Sequence, residues 1–247
     1  MKIKFLLILI FLSVKILACS CAEDAIAQNY LDSDIVGIIT IDSTYGDTIW
    51  ENRTFGFRTY KAKIHFDKIF KGQKFKELNV IGNSKNINSG ACETLVEPGK
   101  KYLILLNKNS NGEYTVSLCS SMFQINTNDL KTIDNYSKQF SYLEKNNLIF
   151  KDFKFINYYD SSVKLDELNN VLTNEFKSTF GQKLKNKFGV YKIKLDSENN
   201  IIEINSIKKT GLNERKILTL IKKNIKAKYL FNKSPNSEYL LFLDFNS

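Results

Sequence analysis

The stretch Ile16-Leu17-Ala18-Cys19-Ser20-Cys21 decides how the rest of the chain is read. Upstream of it, Lys2 and Lys4 precede the apolar run Phe5 to Val14, and Ala18 supplies the small residue at which a leader is cut. The run is about half of the roughly 20 residues that a spanning helix needs, so residues 1–18 read as a signal peptide and not as an anchor. Cleavage after Ala18 makes Cys19 the first residue of a mature chain of 229 residues, exported to a secreted or periplasmic location. The same residues also approximate a bacterial lipobox. In that alternative the sulfur of Cys19 carries diacylglycerol and the chain is a membrane-anchored lipoprotein, with an odd number of thiols left over.

Four cysteines, Cys19, Cys21, Cys92 and Cys119, allow three pairings. A Cys19–Cys21 bond closes a strained ring, which leaves two arrangements that both tie the new N-terminus to distant parts of the body. Export to an oxidising compartment favours such bonds. Loops of this length remove roughly 4 kcal/mol each of unfolded-state freedom on the chain-entropy account.

Charge divides the chain. Residues 19–150 carry 15 basic and 15 acidic side chains, whereas residues 151–247 carry 18 basic and 11 acidic. A neutral half joined to a basic half points to two modules with different partners. For an exported chain, anionic envelope polymers or lipids are the partners to expect rather than nucleic acid; the alternative is a simple solvated basic face.

Between the cysteine pairs the sequence reads as short strands. Asp34 to Ile41 is apolar and β-branched, with Asp42-Ser43 expected to end it. Arg58 to Phe70 alternates, placing Tyr60, Ala62, Ile64 and Phe66 on one face. Leu78-Asn79-Val80-Ile81, Tyr102 to Leu106 and Tyr114 to Leu118 follow, the last two after the turns Pro98-Gly99 and Asn111-Gly112. Five strands without helical periodicity favour a small closed sheet such as a Greek-key barrel. A helix capped by Asn128 or Asp129 then carries Leu130, Ile133, Tyr136, Phe140 and Leu143 at spacings of three or four.

Residues 19–127 resemble the N-terminal inhibitory domain of the tissue inhibitors of metalloproteinases, a netrin-like module on an OB-fold barrel. The residues that carry the likeness are Cys19-Ser20-Cys21, Ser33-Asp34-Ile35-Val36, Lys68-Ile69-Phe70-Lys71-Gly72, Cys92, Gly99 to Ile104, and Ser117-Leu118-Cys119-Ser120. The resemblance implies the pairing Cys19–Cys92 with Cys21–Cys119. It also implies that the α-amine and carbonyl oxygen of Cys19 chelate the zinc of a metalloprotease and expel its water, while Ser20 points to the specificity pocket. An α-amine of pKa about 7.7–8 has little proton to displace near neutrality. Cys21, together with Ala91 and Glu93 beside Cys92, completes the contact ridge in this reading. Glu93 stands where the family usually has glycine, and a third disulfide of the animal domains has no counterpart.

The chain itself is not expected to be an enzyme, to bind a metal of its own or to need a cofactor. His65 is the only histidine and falls on the polar face of a strand, and no Gly-rich phosphate loop is present. The alternative to inhibition is a non-enzymatic envelope interaction protein built on the same scaffold.

After a connection over residues 148–164, residues 165–247 read as an α+β domain, a helix followed by ββαβ. Leu165 to Phe180 is the expected first helix. Val190 to Leu195 and Ile201 to Ile207 form a hairpin, Leu212 to Tyr229 an amphipathic helix, and Tyr239 to Phe245 a last strand. This order, opening with Gly189-Val190-Tyr191-Lys192-Ile193 and ending with Leu243-Asp244-Phe245, resembles the C-terminal domain of TonB-type periplasmic proteins. That likeness implies a docking domain which accepts a partner strand at an open sheet edge.

Overall fold

The computed structural model describes residues 21, 24–48, 58–85, 92–126, 129–160, 184–211, 214–228 and 237–245. The leader, Cys19, Ser20, Ala91 and the helix expected over 165–180 lie outside the described residues.

Six strands form the first sheet: β1 (Ile35–Thr48), β2 (Thr59–Lys71), β3 (Glu77–Ile81), β4 (Lys101–Leu106), β5 (Thr115–Val116) and β6 (Ser121–Ile125). Their order is β5-β3-β2-β1-β4-β6. All neighbours are antiparallel except β3 and β5, where Asn79 pairs with Thr115 and Val80 with Val116. A bridge between Lys108 and Tyr114 carries the end of β4 back to the start of β5, so the sheet curls into a half-barrel. The strand expected to stop at Asp42-Ser43 continues to Thr48. A register shift against β2 between Ile41 and Ser43 absorbs the polar pair, and the strand bends and runs on.

Helix α1 (Ile26–Asp32) precedes β1, and α2 (Leu130–Lys145) and the short α3 (Asn147–Phe150) follow β6. Asp129 is the N-cap of α2, its side chain accepting the N–H of Thr132 at 3.0 Å.

The second sheet contains β7 (Lys154–Ile156), β9 (Phe188–Leu195), β10 (Ile201–Lys208) and β12 (Glu238–Asp244), in the order β10-β9-β12-β7. It is mixed, because β7 joins β12 in parallel. Helix α4 (Glu214–Asn224) packs on it, and β8 (Tyr158–Asp160) pairs with β11 (Ile225–Ala227) in a separate ribbon. The helix expected to reach Tyr229 therefore ends at Asn224. Ile225 keeps the helical spacing of Ile221, but Ile225–Ala227 takes up the backbone groups of Tyr158–Asp160 as a strand instead, and both isoleucines are buried.

Alternation sorts the apolar residues into three cores. Ile35, Ile39 and Ile41 of β1 point into the barrel with Tyr60, Ala62, Ile64, Leu78, Val80 and Ile104. Val36 and Ile38 point the other way, onto α1 and α2. That second core also contains Phe155, Phe188, Val190, Leu240 and Phe242 from the C-terminal sheet. The far face of that sheet, with Ile193, Leu241 and Leu243, packs on Ile217 and Ile221 of α4. The segment 148–164, expected as a connection, enters these cores through Phe150, Phe155, Ile156 and Tyr158, the first two fully buried, while Leu148 and Ile149 stay exposed. The two sheets are thus joined by a shared hydrophobic layer.

The outer edge of β7 is covered, because Gln28 of α1 accepts the N–H of Phe155 at 2.8 Å. Among the described residues, β10 occupies the other edge of that sheet.

Candidate functional site

Cys21 is bonded to Cys119, with Cα atoms 5.1 Å apart and 98 positions between them. Cys119 belongs to a turn, Ser117–Ser120, that straps itself. The N–H of Ser117 donates to Oγ of Ser120 at 2.9 Å, and the N–H of Cys119 to Oγ of Ser117 at 3.3 Å. These hydroxyls end the strand expected to reach Leu118, because they satisfy backbone groups that a sheet ladder would otherwise use. Cys92 is likewise disulfide-bonded, its partner lying outside the described residues. Its carbonyl accepts the N–H of Leu118 at 3.2 Å, which brings Cys92 alongside the residue that precedes Cys119. Leu118 itself is 53% exposed.

The segment after Cys92 is clamped to the barrel. Thr94 donates its N–H to the carbonyl of Ile81 at 2.8 Å. Gly82 sits at φ +147°, and a Cβ there would fall 2.5 Å from the Thr94 carbonyl oxygen, so only glycine admits this close approach. Glu93 does lie beside Cys92, but its carboxylate is held by Arg58 at 3.0 Å from Nε and 2.7 Å from the terminal nitrogen, and its side chain is 8% exposed. The hydrogen bond to Glu93 raises the Arg58 pKa further. Sequence reading missed Arg58, which lies 35 positions from its partner at the start of β2; neither residue stands in a motif that could have flagged the pair.

Helix α1, which follows Cys21 in the chain, was missed as well. The signal was present in Ile26, Ala27, Tyr30 and Leu31 at spacings of three to five, but seven residues are too few for the period to stand out. Tyr30 stacks on Phe140 of α2 at 4.7 Å and donates to Glu144 at 3.0 Å. Burial first, then the bond to Glu144, pushes the Tyr30 hydroxyl well above its usual range. Lys71 donates to the carbonyls of Tyr30 and Leu31 at 3.1 and 2.8 Å, which satisfies orphan acceptors in the last turn. Asn29 donates to Oγ of Ser121 at 2.8 Å and ties the helix to the residue after the Cys119 turn.

The bridge borders a cleft of about 580 Å3 between the two sheets. On its lining, Asp244 accepts from Asn135 at 2.8 Å and Gln139 at 2.7 Å. Tyr158, fully enclosed, has its hydroxyl pKa raised by burial and then by the charge of Asp244. Asp244 thereby ties α2 to the second sheet at the cleft.

His65 is exposed and bonded through Nδ1 to Asp42 at 2.5 Å. Among the described residues no group of three His, Cys, Asp or Glu side chains converges as a metal site would require. A search against protein-family models finds no match for this chain, and a search of curated proteins finds none either.

Proposed function

We propose that the mature chain begins at Cys19 and acts as a metalloprotease inhibitor, presenting the α-amine and carbonyl oxygen of that residue to the protease zinc. The observation that carries this reading is the pair of bridged cysteines at one edge of the half-barrel. Cys119 is joined to Cys21, and the carbonyl of disulfide-bonded Cys92 sits one hydrogen bond away on Leu118. With Cys21 and Cys119 taken, Cys19 is the thiol left in the chain for Cys92. Two bonds two residues apart would fix the new amine in space, and a preorganised ligand spares the entropy of ordering a free terminus on binding.

The strand order supports the same scaffold. A five-strand circuit with β3 parallel to β5, closed by the Lys108–Tyr114 bridge, fits the OB-type barrel that the resemblance to tissue inhibitors implies. Ser20 would face the specificity pocket, with exposed Leu118 beside it and Ala91 near Cys92. Glu93 serves this ridge as a strut: its charge is spent on Arg58, and it holds Cys92 in place.

The test is inhibition of a panel of zinc metalloproteases by the mature protein and by a form with one alanine added before Cys19. The native protein is expected to slow an enzyme that it binds, and the extended protein to lose the effect while keeping its fold. Equal inhibition by both overturns the mechanism. Inhibition by neither across the panel leaves the scaffold as a non-enzymatic envelope binding protein. Non-reducing peptide mapping should link Cys19 to Cys92; diacylglycerol on Cys19 would overturn the pairing and the inhibitor reading together.

A further inference from the structure

A second concavity, of about 700 Å3 and with neither Cys21 nor Cys119 on its lining, opens between α2 and the chain segments around β9 and β10. Six lysines line it. Lys131, Lys138 and Lys145 come from α2, and Lys185, Lys187 and Lys208 from the opposite wall. The three on α2 recur every seven residues, which is close to two turns, so they share one helix face at intervals of about 10 Å. Asp134 is the one carboxylate on the lining, and it is paired with Lys138 at 2.5 Å.

The floor of the groove is Lys208. Its ammonium lies 4.4 Å from the ring centre of Phe188 and 5.2 Å from that of Tyr142, and among the described residues it has no carboxylate partner. Burial lowers its pKa, the sign of a cation whose hydration has been taken away without a countercharge. Like charges gathered in a concave wall repel one another, and the field they focus attracts anions. Half of these lysines come from the part of the sequence whose net charge is zero, so the site is assembled by the fold and is not a property of the basic C-terminal half.

We propose that this groove binds a linear anionic polysaccharide, its carboxylate or phosphate groups laid along the lysine row of α2 with one group reaching Lys208. The regular row calls for a ligand whose charges repeat along its length. A flat membrane surface would not reach the floor of a concave site. Single-stranded nucleic acid binds by stacking bases on exposed aromatic faces, and here Phe188 is buried and both rings lie under Lys208. The groove shares no lining residue with the cleft beside the Cys21–Cys119 bridge, so its test is separate from that of the inhibitor reading.

The experiment is calorimetric titration of the full mature chain with an oligogalacturonate of about ten units, at low and at moderate salt. Binding is expected, weakening as salt rises because the contacts are screened. Replacing Lys131, Lys138 and Lys145 together by glutamine should weaken it about tenfold, since each exposed contact contributes a fraction of a kcal/mol. The matched triple replacement of Lys216, Lys222 and Lys223, exposed on α4, removes the same charge elsewhere and should leave binding within about twofold. Because both triples alter exposed positions, unchanged melting of each establishes that loss of binding is not loss of fold. Equal weakening by the two triples, absence of binding at low salt, or tighter binding of phosphatidylglycerol vesicles or of a single-stranded oligonucleotide of equal charge overturns the proposal.

Discussion

Leu118 donates its backbone N–H to the carbonyl of Cys92 at 3.2 Å, and that one bond places the two body-side cysteines of the chain next to each other. Twenty-six residues containing strands β4 and β5 separate them in sequence. The turn Ser117–Ser120 and the Gly82–Thr94 contact make their meeting rigid, since each anchors its cysteine to a different part of the half-barrel wall.

Opening the Cys21–Cys119 bridge releases a loop of 98 positions. Replacing both residues by serine should cost about 3 kcal/mol, below the chain-entropy figure of 4–5 kcal/mol because the bridge at Cys92 still restrains the unfolded chain. Urea unfolding should show a lower midpoint and a steeper dependence on denaturant, as the unfolded state expands. An unchanged midpoint would mean that the bond does not form.

The Arg58–Glu93 pair should behave as a strut. Arg58→Met removes the guanidinium from a carboxylate that is 8% exposed, and should lower the urea midpoint. The double variant Arg58→Met/Glu93→Met should recover more than half of that, because no charge is then buried alone. A double variant as unstable as the single one would show that the pair contributes packing and not charge compensation.

Much of this architecture could be read in the sequence, because short-range periodicity reports burial directly. The alternation Tyr60, Ala62, Ile64 is the barrel wall, and the spacing from Leu130 to Leu143 is the face of α2. The apolar, β-branched run from Asp34 to Ile41 marked a strand, but could not say what covers its second face. That cover is α1 and α2, held there by contacts such as Tyr30 with Phe140, 110 positions away. Strand β6 was missed because Ser121, Gln124 and their neighbours are half exposed and do not alternate; it is a strand only because β4 offers it an edge. Helix α4 was drawn too long for the converse reason, since Ile225 fits the helical period and only the distant Tyr158–Asp160 segment turns it into a strand. At the site, the cysteine spacing was legible and the partner of Glu93 was not, because an ion pair across 35 residues leaves no local pattern.

The shared core should make the two sheets unfold together. Phe242 stacks on Phe188 at 5.3 Å and meets Phe155 at 6.4 Å, in the same cluster as Val36 and Ile38 of β1. Phe242→Ala should cost about 3–5 kcal/mol. Native-state hydrogen exchange should speed up at the amides of Val36 and Ile38 as well as at Val190, within one cooperative unit. Exchange that accelerates only in the C-terminal sheet would show that the middle layer joins two independently stable bodies.

A pH dependence should come from Asp67, which bridges three strands. It accepts from Lys101 of β4 and from Thr40 of β1, each at 2.6 Å, while sitting on β2. Burial alone would raise its pKa, but the hydrogen bonds from Lys101 and Thr40 and the charge of Lys101 outweigh that and hold the carboxyl below its usual range. A folded pKa below the unfolded one means that the unfolded state takes up protons first. The stabilisation is therefore fully present above the unfolded value of about 3.9 and is lost as the pH falls through the folded value. Asp67→Asn should then be less stable than the native protein at pH 7 by about half a kcal/mol, a figure kept small because the pair is a quarter exposed and screened by solvent. The difference should be unchanged at pH 5 and should close as the pH is taken down toward 2. Denaturant midpoints of the two proteins along that series measure it, and a gap that stays constant to the acid end would assign the effect to the shape of the side chain and not to its charge.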